Sequence, residues 1–215
     1  MDGFPLIVDG NTVPGAELML WPVSDVESKR VVAESPYTNG VWDVSGVYSN
    51  DQPVFKQRVV KLLVREHCDD PEARLSDRLI QWAGRRLKVS LPGQEQGHFV
   101  GSAEVALHEF ETHRVSYWLV VSAYPWYMDN HDTMVTVAAT AEGTAFTLPP
   151  APFTVAPQVS ATATVVITVG AHTWSVPNCS GRELVGLVLE PGQPLTGSVQ
   201  GVGDVSFTWV SGRLL

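Results

Sequence analysis

Two short clusters hold the residue types that metal or acid–base chemistry needs. The segment His108-Glu109-Phe110-Glu111-Thr112-His113 comes nearest to a metal motif. A zincin site needs two histidines four apart on a helix, so that both imidazoles face one ion. Here the pair is five apart, at what reads as the end of a strand. Residues five apart on a strand point to opposite faces, so solvated loop histidines are expected instead. Trp126-Tyr127-Met128-Asp129-Asn130-His131-Asp132 gathers acids, an amide and an imidazole beside aromatics. A calcium loop sets oxygen ligands at alternate positions around a turn glycine. Asp129 and Asp132 lack that spacing, and a turn after a strand is expected. There is no GxSxG, and Gly201-Val202-Gly203-Asp204 precedes a strand pattern rather than the helix a dinucleotide site requires. Glycosidase carboxylates are paired in space, not in sequence, and nothing selects a pair from the 23 acids. The expectation is no catalytic residue, no metal ligand, no cofactor site and no enzyme activity.

Residues suited to contact are better defined. Arg74, Arg78, Arg85 and Arg86 form a basic margin beside an apolar helix stripe. They read either as a solvated face paired with Asp77 and Glu72 or as a contact with an acidic neighbour, another copy of this chain included. Trp174 and Trp209 could stack on sugar rings. Val205, Phe207 and Trp209 recur at period two, however, which favours core aromatics. Cys68 and Cys179 have no zinc or CxxC spacing. Two free thiols are expected, a disulfide joining the two halves being the alternative. Asn178-Cys179-Ser180 is formally a glycosylation sequon, expected to be fortuitous.

The elements that must position these residues are legible. Val54–His67 is rich in β-branched residues and reads as a strand. Asp69-Asp70-Pro71-Glu72 supplies a helix start, with a capping Asp and a Pro at the first helical position. Leu75, Leu79, Trp82 and Ala83 follow as one apolar stripe, and Gly84 ends the helix. Strand patterns follow at Leu87–Leu91, Phe99–Leu107 and Val115–Tyr124, with the loop Pro92–Gly97 between the first two. In the third, Val115, Tyr117, Leu119, Val121 and Ala123 form one buried face and the other is mixed. Upstream, Phe4–Val8 and Leu18–Pro22 read as strands around Asp9-Gly10-Asn11. Pro36–Gly40 reads as a turn and Tyr48–Pro53 as a loop.

Leu148-Pro149-Pro150-Ala151-Pro152 marks the expected boundary, giving domains 1–148 and 149–215. Beyond it, strand patterns at Ala161–Val169, His172–Val176, Leu184–Leu189, Leu195–Val199 and Val205–Val210 predict an antiparallel sandwich or barrel of five or six strands. The class is mainly β: an α+β first domain with one embedded helix, then a small β-sandwich.

Composition excludes several functions. The chain has 215 residues, 44% of them hydrophobic, and a net charge of −9. That charge argues against non-specific nucleic-acid binding. Up to Leu148 there are 12 Lys and Arg against 20 Asp and Glu; from Pro149 there are 2 against 3. The low-charge second part suits carbohydrate or protein contact, and equally a plain sandwich. Met1-Asp2-Gly3-Phe4 has no basic region or apolar run, so no secretory signal is expected. No run reaches the roughly 20 apolar residues of a membrane span, so neither membrane nor nucleic-acid-specific binding is expected.

The order of features resembles the distal tail protein family of long-tailed, non-contractile phages. It runs from the strand Val54–Arg65 and the Asp-Pro helix start to the helix Leu75–Trp82. A hairpin and a strand ending in an aromatic-Pro step, Tyr117–Trp126, follow. A proline-marked switch and a closing Ser211-Gly212-Arg213-Leu214 complete it. The resemblance implies a non-enzymatic virion protein, assembled in the host cytoplasm, with a galectin-like second domain. It also implies a homo-oligomer, expected to be a hexamer, that rings the distal end of the tail tube. The implied neighbours are the tail tube protein, the tape measure protein and the tail-tip hub protein. A carbohydrate-binding module of the host-recognition apparatus is the alternative.

Overall fold

The computed structural model describes residues 3–30, 32–34, 41–43 and 54–215; the expected turn at Pro36–Gly40 and loop at Tyr48–Pro53 lie outside them. The fold is mainly β, as expected, and the described residues contain one helix. Contacts divide the chain into two units: Met1–Met128 with Leu214–Leu215, and Asp129–Arg213.

The first unit begins with β1 (Phe4–Val8) and β2 (Asn11–Leu20). Asp9 and Gly10 join them with φ of 51° and 77°, the left-handed pair that a two-residue hairpin requires. β3 (Val32–Glu34) and β4 (Val41–Asp43) pair with each other. β5 (Arg58–His67) leads into α1 (Pro71–Trp82), and β6 (Arg86–Ser90), β7 (Gly97–Glu111), β8 (Arg114–Ala123) and β9 (Tyr127–Asp129) follow. The antiparallel order β7-β6-β1-β2-β5-β8 is closed by a further β7–β8 pairing, so the strands form a barrel. β7 is long enough to change partners: it pairs with β6 up to Ser102 and with β8 from Gly101 onward. At Gly101 a Cβ would collide with the Ser122 carbonyl oxygen, so the exchange needs glycine. Leu18, Leu62, Val64, Phe99, Leu119 and Val121 fill the interior, each fully buried. The mixed outer face expected for β8 is present, with Trp118, Val120 and Ser122 half-buried.

The helix starts where expected. Asp70 Oδ1 accepts from the Ala73 amide at 3.0 Å, with Pro71 at the first position. Its buried face differs from the expected stripe. Leu75 and Trp82 pack on the core, but Arg78 is buried between them and Leu79 is 40% exposed. Apolar spacing could not reveal this, because the turn of the helix is set by a charge inside the barrel.

The second unit is a sandwich of two four-stranded antiparallel sheets. One has the order β10 (Thr133–Ala139), β17 (Gly203–Trp209), β12 (Gln158–Ala161), β15 (Cys179–Glu183). The other runs β11 (Thr144–Leu148), β16 (Leu195–Gly201), β13 (Val165–Val169), β14 (His172–Val176). A two-residue strand, β18 (Gly212–Arg213), follows. The expected boundary at Leu148/Pro149 therefore falls inside this unit, since β10 and β11 pair with β17 and β16. The prolines mark the corner where the chain passes from one sheet to the other; lacking N–H groups, they cannot continue a ladder. The expected strand Leu184–Leu189 is irregular, although Leu184, Leu187 and Leu189 are buried. Gly186 at φ 85° and a Leu187 N–H to Leu184 C=O bond of 3.0 Å turn the chain there.

Candidate assembly surface

Along β5, Val60, Leu62, Val64 and Glu66 point inward, and all four are buried. A carboxylate on that phase needs a cation and further donors, because an unpaired buried charge is costly. Arg78 supplies both: its Nε reaches Glu66 Oε1 at 2.7 Å and its Nη2 reaches Oε2 at 3.0 Å. The Tyr117 hydroxyl also donates to Glu66 Oε1. The Arg78 guanidinium lies 4.7 Å from the Trp82 ring centroid, and its Nη1 donates to Gln81 Oε1 at 2.8 Å. Burial pulls the Arg78 pKa down, but the bonds and charge of Glu66 prevail and hold it above its ordinary value. Burial, and then the negative Glu66, push the Tyr117 phenol far above its usual range.

This cluster clamps α1 against β5 and β8. The Cys68 N–H bonds the His113 carbonyl at 3.0 Å, fixing the approach to the helix at the β7–β8 tip. The Gly84 N–H bonds the Ala103 carbonyl at 2.8 Å, fixing its far end at the middle of β7. The helix thus braces the outer half of the β7–β8 hairpin. That arm carries exposed apolar side chains: Leu107 at 47% and Phe110 at 43%, with Ile80 of α1 at 70%. Beyond Ala103 the free edge of β7 has no partner strand among the described residues. An unpaired edge with exposed Leu107 and Phe110 beside it is a template for association, although Glu104, Glu109 and Glu111 also lie along this segment.

The four expected arginines do not form one margin. Arg78 is buried in the cluster, and Arg74 is half-exposed with its Nε 3.7 Å from Glu66 Oε2. Arg85 is exposed, and its carbonyl accepts from the Ala103 amide at 2.8 Å. Arg86 lies 4.9 Å from the Tyr124 ring centroid, beside a cleft of about 100 Å³ that Gln57, Ser102 and Ser122 also line. Among the described residues neither Asp77 nor Glu72 pairs with any of them. Sequence reading missed Glu66 and Tyr117. The available signal was an acid on the apolar phase of β5, which demands a buried cation.

In the second unit Trp209 is buried in the core and is closed to sugar stacking. Trp174 is half-buried, its Nε1–H donates to the Val185 carbonyl at 3.1 Å, and His172 stacks on it at 5.8 Å. His108 packs edge-on against Trp118. No group of three or more His, Cys, Asp or Glu among the described residues could hold a metal. Cys68 and Cys179 are both free. No helix among the described residues is long and apolar enough to cross a membrane.

No known sequence family matches the chain, and no curated protein does. In fold the chain is similar to the crystal structure of the SPP1 Dit (gp 19.1) protein, described as a paradigm of the hub adsorption apparatus in phages that infect Gram-positive hosts. The TM-score is 0.58 at 11% identity, over 96% of this chain and 98% of that one.

Proposed function

We propose that this chain is a structural phage tail protein that forms a ring at the distal end of the tail tube and joins it to tail-tip proteins. The observation that carries the reading is the likeness to SPP1 Dit across nearly the whole of both chains. The braced β7–β8 arm supports it, because a closed ring is one way to cover an unpaired strand edge. In this reading the first unit builds the ring, six copies close it, and the tail tube, tape measure and tail-tip hub proteins are its neighbours. The protein resides in the virion tail after assembly in the host cytoplasm, and its role is mechanical, with no catalysis and no required cofactor. Immunogold labelling of the virion that carries the gene tests it. Label at the far end of the tail is expected; label absent from virions, or confined to the head, would overturn the reading.

A further inference from the structure

The outer face of β5, β8 and β7 carries three rows in register. Lys61 of β5 and Glu104 of β7 both stand opposite Val120 of β8. Arg65 and Glu109 both stand opposite Ser116, and Leu63 and Ala106 both stand opposite Trp118. A basic row and an acidic row thus flank an apolar and hydroxyl row, with one base and one acid at the same height on two rungs. Two strand spacings, about 10 Å, separate the rows, and no ion pair joins them across β8 among the described residues.

These charges are left over. Lys61, Arg65, Glu104 and Glu109 make no ion pair among the described residues. Glu17 of β2 stands opposite Arg65 without pairing with it, and the Arg65 Nε is buried with no hydrogen-bond partner. In the central row Trp118 and Val120 are half-buried and Ser116 is buried; Leu63 of the basic row is half-buried, and Val59 at the margin is 38% exposed.

We propose that this face binds the same face of a second copy of the chain. A two-fold axis lying along β8, in the plane of contact, exchanges the two outer rows and keeps each height. Lys61 then meets the partner's Glu104, Arg65 meets the partner's Glu109, and both pairs occur twice. The central rows meet each other, as facing sheets in aligned packing do. The same patch serves both copies, which is the definition of an isologous contact. A ring closes instead through two different surfaces, so this contact does not rest on the ring reading.

The test uses two charge-reversed forms of the full chain in a sedimentation experiment. Glu104→Lys with Glu109→Lys makes both rows basic; Lys61→Glu with Arg65→Glu makes both acidic. Wild type is expected in even-numbered species. Each variant alone should show half the wild-type mass, or self-association weakened about tenfold or more, because like charges now face each other. A one-to-one mixture should regain the wild-type mass, since every facing pair is then opposite. Wild type without an even-numbered species, either variant alone keeping wild-type mass, or folded variants that stay apart when mixed would each overturn the proposal. If a double variant does not fold, Glu104→Gln and Arg65→Gln take its place, and unchanged association in both counts against it. Label at the tail tip bears on the ring reading alone, so the two can fail separately.

Discussion

The two units are both antiparallel β structures, yet they fix their interiors by different means. All five buried polar or charged residues among those described lie in the first unit: Arg58, Glu66, Arg78 and Ser90, and Ser116 on the outer phase of β8. The sandwich core, from Val137 to Trp209, is apolar throughout, and its outer faces are tied by hydroxyl pairs such as Thr136–Ser206 at 2.9 Å. In the sandwich, alternation alone selects the register, because a one-residue slip would turn every core side chain outward. The barrel must also dock a helix and close around a strand that changes partners. One ion-paired cluster sets the rotation of that helix. Arg58 does a related job at the other end of β5, its Nη1 donating to the Leu215 carbonyl at 3.1 Å.

If that contrast holds, the largest single effect belongs to Glu66. Glu66→Gln leaves the Arg78 charge buried without its carboxylate and should cost about 3–5 kcal/mol in denaturant unfolding. Replacing both partners by apolar residues, Glu66→Leu with Arg78→Met, should cost far less, because no charge is then stranded. A double variant as damaged as the single one would mean that the cluster supplies more than charge balance. In the sandwich the comparable anchor is apolar. Trp209→Ala should lose about 3–5 kcal/mol, and Trp174→Ala clearly less, since that ring is half-buried. Equal losses would contradict the assignment of Trp209 to the core.

A pH series sharpens the comparison. The folded chain holds the Tyr117 proton above the ordinary phenol value of 10.0. A group whose pKa is raised by folding contributes fully below its unfolded pKa and loses that contribution as pH rises above it. Stability of the first unit should therefore fall above pH 10, by up to about 1.4 kcal/mol per pH unit from this group. Tyr117→Phe should flatten that slope in alkaline melting curves, and an unchanged slope would contradict the burial of the phenol. The smallest effects concern the helix. Asp70→Ala should cost about 1 kcal/mol through the lost cap, and Leu79→Ala less than that, because Leu79 lies off the buried face.

Much of this architecture could be read from the chain because it rests on local rules. The Asp70-Pro71 start, the positive-φ turn at Asp9-Gly10 and the period-two face of β8 each follow from a few neighbouring residues. What was not legible depends on partners distant in sequence. Arg78 displaced Leu79 from the helix stripe because Glu66 waits on another strand. β10 and β11 joined the sandwich although a proline run follows them, because their partners β17 and β16 come more than 45 residues later. Leu184–Leu189 has strand composition, but Gly186 turns the chain and Cys179–Glu183 takes the edge place beside β12. The outer face of β5, β8 and β7 was the least visible part, because Lys61, Arg65, Glu104 and Glu109 fall into rows only through a register shared by three strands.

The central claim is the ring, and a cryo-electron microscopy reconstruction of the tail tip tests it most directly. The account predicts six copies of this chain around the tail axis at the end of the tube, with the barrel units forming the continuous ring. A tail-end ring built wholly from another chain, or this chain present in a number that cannot form a closed ring, would contradict it.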